Sequence, residues 1–159
     1  MDTLKNPPAD RTIHVLTVLQ VLANVVYQSL ENGGYLAAKG VVSKRWVDRW
    51  GGIDKWYLWS VRAWLGHIVL QFGVLWRQYV LRKRRESAIA GTMSAEKKEE
   101  VLRGEIRAWK KSLVNNVFWA PLALHWSVEK GVGVPGSVTG FGSFMAGAWG
   151  FLDLWRSTA

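Results

Sequence analysis

The stretch Trp56-Tyr-Leu-Trp-Ser-Val-Arg-Ala-Trp-Leu-Gly-His-Ile-Val-Leu-Gln-Phe-Gly-Val-Leu-Trp76 decides the fold. Coiled as a helix at ~1.5 Å per residue it spans about 30 Å, the thickness of a bilayer's hydrocarbon core. Trp56 and Trp59 stand at one end, Trp76 and Tyr79 at the other, and Arg82-Lys83-Arg84-Arg85 follows where lipid headgroups lie. That order matches an aromatic belt backed by a basic cluster. The interior is not cleanly apolar, because Arg62, His67, Gln71 and two glycines interrupt it. On an insertion scale the Leu, Ile, Val and Phe residues supply only about −4 kcal/mol, most of which the interruptions cancel. Arg62, about 9 Å from the Trp56 end, is within snorkelling reach of the interface. Insertion as part of a bundle and shallow embedding both fit a helix over 56–85.

The last run, Gly136 to Trp155, carries a single formal charge, Asp153. Gly136, Gly140, Ser143, Gly147 and Gly150 recur at spacings of four, three, four and three, which places them within a helical arc of roughly 80°. In water each internal glycine costs about 1 kcal/mol relative to alanine. In a bilayer the same row lets helices approach closely. The spacing predicts a membrane-embedded helix over 136–155 whose glycine row serves helix packing or self-association, with Trp155 as an interface anchor. A Gly-rich loop on a soluble core is the competing reading.

Upstream, His14, Thr17, Gln20, Asn24, Gln28 and Glu31 recur every three or four residues in the apolar stretch 13–38. They form a polar seam within an arc of roughly 120°. A face without lysine suits contact with other helices better than contact with water. Asn32-Gly33-Gly34 is expected to break or bend this helix. A basic, aromatic connection with Trp46, Trp50 and the turn signal Gly51-Gly52 leads to the central stretch.

After the central helix, 86–93 reads as a polar break and Ser94 as an N-cap. A basic amphipathic helix over 94–128 sets Leu102, Ile106, Trp109 and Leu113 on one stripe, flanked by Arg103, Arg107, Lys110 and Lys111. Such a face is either solvated or laid on a membrane surface. Pro121 is expected to kink or restart it.

The chain has 159 residues, 21 Lys+Arg against 12 Asp+Glu, 11 Trp and no Cys. The length suits one domain. The lack of Cys excludes disulfides, thiolate chemistry and Cys-based metal sites. The opening residues make a poor signal peptide. Residues 39–111 contain 17 basic and 7 acidic residues, so the net charge of +9 lies wholly in the middle of the chain. Its partner is an anionic surface. Nucleic-acid modules that pair basic and aromatic residues are mostly β platforms, and alternating strand patterns are nearly absent here, so nucleic acid is set aside in favour of a phospholipid membrane. Basic residues lie on both sides of the central segment, so charge does not orient it. Lys110, Lys111 and Arg156 lean toward a cytosolic C-terminus.

Gly131, Gly133 and Gly136 formally satisfy G-x-G-x-x-G, but the match holds Pro135 and follows no strand, so it is not read as a dinucleotide site. His14, His67 and His125 lie on separate apolar segments without metal-ligand spacing. No catalytic, cofactor-binding or metal-binding residues are expected.

Two stretches resemble the peroxisomal membrane peroxins of the peroxin 11 family. One is Ala23-Asn-Val-Val-Tyr-Gln-Ser-Leu-Glu-Asn-Gly-Gly-Tyr-Leu-Ala-Ala-Lys-Gly-Val-Val42. The other is Ser112-Leu-Val-Asn-Asn-Val-Phe-Trp-Ala-Pro-Leu-Ala-Leu-His-Trp-Ser127 with the Gly-rich run behind it. With the spacing between them, the likeness covers most of the chain. The family's usual N-terminal amphipathic region, credited with tubulating membranes, is expected to be lacking. The resemblance implies an all-α peroxisomal membrane protein with cytosolic termini that promotes peroxisome elongation and division. It also implies self-association and recruitment of a tail-anchored fission adaptor and a dynamin-like GTPase.

The expectation is therefore a non-enzymatic, membrane-associated helical bundle, one domain over 1–159, closed by a helical hairpin whose second arm is the Gly-rich helix. Gly136, Gly140, Ser143, Gly147 and Gly150 are the helix-packing row. Arg82, Lys83, Arg84 and Arg85 contact anionic lipid or the import receptor for peroxisomal membrane proteins. Trp56, Trp59, Trp76 and Trp155 set membrane depth. A soluble or peripheral helical interaction domain and a small mitochondrial membrane assembly factor are the alternatives.

Overall fold

The computed structural model describes residues 10–89 and 95–158, which form five helices and, among the described residues, no strand. They are α1 (Arg11–Ala38), α2 (Lys44–Arg49), α3 (Gly52–Ile89), α4 (Ala95–Trp126) and α5 (Gly136–Thr158). The fold class is all-α, as the periodicities predict. The seam helix begins two residues earlier than expected, and the central helix extends at both ends. Ser94 and the segment 90–94 of the polar break lie outside the described residues.

Local chemistry sets the ends. Asp10 caps α1 by accepting from the Ile13 amide at 3.1 Å, which satisfies one of the free amides of the first turn. At the other end Gly40 adopts φ 75°. Its amide donates to the Ala37 carbonyl at 3.1 Å while Val41 donates to Leu36 at 2.9 Å, the paired closure that a left-handed residue permits. Gly51 and Gly52, at φ 98° and 86°, turn the chain into α3. The connection before them holds the short α2, which the sequence reading missed and whose Val47 is fully buried.

Two expected breaks are absent. α1 runs unbroken through Gly33 and Gly34, because the missing side chains there make room for Trp56. A Cβ on Gly33 would lie 2.8 Å from its Cζ3. α4 likewise continues through Pro121.

The helices are arranged in a row. Among the described residues α1 packs along α3, α4 against α3, and α5 against α4 alone, with α2 bridging α1 and α3. Such a row encloses little. The buried cluster is Ala37, Val47 and Trp56, with Leu30 and Ile53 packed on it. Further along, Trp64 lies 6.2 Å from Tyr27 of α1 and 5.2 Å from Trp119 of α4. Aromatic pairs at these separations contribute about 0.5–1.5 kcal/mol beyond area burial.

The order also fixes which ends meet. Arg77, late in α3, pairs with Asp10 at 2.9 Å. Arg85 pairs with Glu105 of α4, and Asp153, late in α5, pairs with Arg107 and Lys111 at 2.5 and 2.7 Å. The start of α1 and the end of α5 therefore lie at one end of the row, beside the Arg82–Arg85 cluster.

Candidate functional site

The distribution of apolar side chains is the first feature of the site. Among the described residues ten hydrophobic residues are buried, whereas twenty-six large ones are exposed. Val15, Leu19, Leu22, Val25 and Val26 point outward from α1, Val69 and Trp76 from α3, and Phe144, Phe151 and Leu154 from α5. A monomer in water rarely exposes apolar surface this continuous. Two helices are long and apolar enough to cross a bilayer, Arg11–Ala38 and Gly52–Ser87, and only 6% and 22% of their most apolar windows are buried. The core helix of a soluble protein would be mostly buried. The Gly-rich α5 is not among the helices that meet this measure.

Polar side chains of the same helices turn toward one another. Gln20 of α1, buried, donates to Gln71 Oε1 of α3 at 2.7 Å, and Gln71 donates to Ser112 Oγ of α4 at 3.2 Å. His67 Nδ1 lies 3.3 Å from the Gln20 carbonyl. The indole of Trp109 on α4 donates to the Leu75 carbonyl at 2.9 Å, and Asn115 donates to the Ala146 carbonyl of α5 at 2.9 Å. Each link in the row of the four long helices α1, α3, α4 and α5 thus includes a hydrogen bond, as expected where lipid offers polar groups no partner. The seam of α1 enters the packing only at its Gln20 edge. Asn24 and Gln28 remain exposed.

Arg62 does not depend on snorkelling. Its Nε donates to the Ser127 carbonyl at 3.0 Å, just past the end of α4, and its guanidinium lies 5.0 Å from the Trp59 ring. A cation at a helix C-terminus meets carbonyls without intrahelical partners.

The four tryptophans read as depth markers divide. Trp59, Trp76 and Trp155 are exposed. Trp56 is 8% exposed and lies against Trp46 and Gly33, so it packs inside and is not available as an interface anchor. Three residues along a helix leave the two side chains about 60° apart, so Trp56 and Trp59 straddle the edge of the packed face, one inside it and one outside.

The glycine row also differs from the packing face. A Cβ on Gly136, Gly140, Gly147 or Gly150 would meet nothing within 4 Å. The contact of α5 with α4 instead runs through buried Gly142 and Ala146, with Leu122 Cδ1 3.3 Å from a Cβ at Gly142. Ser143 is half-buried at the edge. The row is left open, about a third of a turn from the packed face.

The basic cluster is not uniform. Lys83 and Arg84 are exposed, and Arg85 pairs with Glu105. The Arg82 side chain is only 10% exposed, with its guanidinium 5.1 Å from the Trp109 ring and 5.6 Å from the Tyr79 ring. It lines a cavity of about 560 Å³ between α3 and α4. Sequence reading grouped Arg82 with its neighbours. The separating signal is its helical phase, which it shares with Trp64 and Gln71.

The histidines make no common centre. His125 Nδ1 accepts from the Val132 amide at 3.0 Å and closes the turn after α4, where Gly131 at φ 67° faces the ring. The glycines of the dinucleotide-like pattern follow this helix end and no strand.

Residues 1–155 match the family model described as Peroxisomal biogenesis factor 11 (PEX11). Neither the curated proteins nor the solved structures yield a match.

Proposed function

Since the chain belongs to the peroxisomal biogenesis factor 11 family, we propose that it is a non-enzymatic protein embedded in the peroxisomal membrane that promotes peroxisome elongation and division. The observation that carries this reading is the apolar exterior of α1 and α3 ending in the exposed cations Lys83 and Arg84. Lipid covers the first and anionic headgroups meet the second. Trp59, Trp76 and Trp155 set depth at the interfaces. The same cations suit the import receptor for peroxisomal membrane proteins.

Two unused features support self-association. Asn24 and Gln28 are exposed on an apolar helix and make no side-chain hydrogen bond among the described residues. The open row Gly136, Gly140, Ser143, Gly147 and Gly150 lies on α5. In lipid, polar side chains and small residues are what join helices. The start of α1 and the end of α5 lie at one end of the row, which supports the reading that both face the cytosol. That side recruits the tail-anchored adaptor and the dynamin-like GTPase.

The test is imaging of the tagged full chain with a peroxisomal marker, together with carbonate extraction and measurement of peroxisome number and length on overexpression. Co-localisation, recovery in the carbonate pellet and elongated or more numerous peroxisomes are expected. Release by carbonate would instead support a peripheral helical interaction domain. Location on mitochondria would support an assembly factor there.

A further inference from the structure

We propose that the cavity between α3 and α4 is a discrete binding site for the phosphate of a phospholipid headgroup, with Arg82 as its anion-binding residue. The inference rests on the membrane reading above and adds a specific site to it.

The unusual group is Arg82. Its side chain is nine-tenths buried, yet among the described residues Nε has no hydrogen-bond partner. The carboxylate oxygen paired with it, Glu86 Oε1, stands 3.7 Å away, and the other oxygen of Glu86 is held by Lys83 Nζ at 3.0 Å. Burying a guanidinium with a donor unmet is costly. The ring faces of Trp109 and Tyr79 stabilise its charge, but they accept no hydrogen bond in the guanidinium plane. Arg82 and Arg85 both line the cavity, and guanidinium N–H groups facing such a space offer a phosphate charge-assisted hydrogen bonds.

The surroundings fit that ligand. The cavity, about 560 Å³, has room for a headgroup rather than a lone water. Arg85 also lines it, and the one lining carboxylate, Glu105, is already paired with Arg85. Gln78 and Ser112 add neutral polar groups, while Ile13 and Leu81 supply an apolar wall for the glycerol and upper acyl chain. Arg82 lies nearly two turns, about 9 Å, past Trp76 and beside Tyr79, which puts the guanidinium end of the cavity at the headgroup level of the central helix, while Gln71 lines its inner end. A free phosphate shares the anionic chemistry but has no use for that wall.

The test uses the full chain purified in dodecyl maltoside and titrated with dioctanoyl phosphatidic acid, with inorganic phosphate in excess as competitor. Arg82→Gln is expected to weaken lipid binding roughly tenfold. Arg84→Gln, from the same cluster but exposed, is expected to change it by less than about twofold. Equal losses would mean surface attraction and overturn the site. Ala108→Trp narrows the cavity while keeping Arg82, so unchanged binding in that variant, with helicity intact by circular dichroism, would also overturn it. Competition by inorganic phosphate would overturn the lipid source, and its absence supports it. A chain that pellets in carbonate but binds no phosphatidic acid overturns the site alone, whereas a chain released by carbonate overturns the membrane reading.

Discussion

Gly33 of α1 and Trp56 of α3 meet so closely that a Cβ on the glycine would lie 2.8 Å from the indole. The contact joins the end of α1 to the start of α3 within the buried cluster that includes Ala37 and Val47. Gly33→Leu should therefore destabilise the chain by about 1–3 kcal/mol through overpacking. Thermal unfolding in detergent measures this, and an unchanged midpoint would contradict the contact.

Asp10 both caps α1 and pairs with Arg77, and these interactions hold its carboxyl below the ordinary carboxylate value of 3.8. Its folded pKa is depressed, so its contribution is fully present above the unfolded pKa and is lost as pH falls through the folded one. Exchange of the Ile13 amide should accelerate, beyond its intrinsic pH dependence, as pH drops below about 4. In Asp10→Asn that acceleration should vanish, and a persistent one would assign it to another group.

Gln20, Gln71 and Ser112 form a hydrogen-bonded chain across α1, α3 and α4. Gln71→Leu leaves the Gln20 amide with only the His67 carbonyl at 3.4 Å. The expected cost is about 0.5–2 kcal/mol, the range for polar contacts between helices in membranes. Adding Gln20→Leu should recover part of it, since both partners are then apolar. A strictly additive double-mutant cycle would show that the two side chains do not interact.

On α5 the two kinds of glycine should respond differently. Gly142→Leu meets Leu122 at once and should loosen the hairpin of α4 and α5. A Cβ at Gly140 or Gly147 meets nothing within 4 Å among the described residues, and Gly147 borders an open cleft against α4, so Gly140→Leu with Gly147→Leu should leave the hairpin intact while reducing self-association. Because the chain has no native cysteine, engineered cysteine pairs report each contact separately by cross-linking. The proposed role of the row fails if cross-linking between chains is unchanged.

Asp153 is held by Arg107 and Lys111 of α4. Asp153→Asn should reduce cross-linking between α4 and α5 near that end and leave the contact at Gly142 in place. The ion pairs are partly exposed and the effect should be modest, about 1 kcal/mol or less. Loss of the whole hairpin would mean that the pairs matter more than the packing.

Much of the fold was legible because helical signals are local. The periodicities of 13–38 and 94–128 and the turn glycines Gly51 and Gly52 act within a few residues of themselves. What failed locally was the effect of distant partners. Asn32-Gly33-Gly34 reads as a break until Trp56 is seen to fill the space beside it, and Val47 looks like part of a loop until it lies under α1 and α3. Part of the candidate site was also readable in principle. Trp56, Ser60, Trp64, His67, Gln71 and Arg82 share one face of α3 within an arc of roughly 80°. Small and polar residues recurring on a face with aromatics mark it as the helix-contacting one.

By itself the sequence determined that the chain is helical, that its charge is concentrated mid-chain and that apolar stretches flank that charge. The tertiary structure alone decided which faces meet. It put Trp56 inside and Trp59 outside, packed Gly142 while leaving the glycine row open, and buried Arg82 beside exposed Arg84. The reason is physical: where lipid accepts apolar side chains as readily as protein does, hydrophobicity marks no inner face. The choice then falls to shape, as at Gly33, and to hydrogen bonds between helices, as at Gln20 and Gln71.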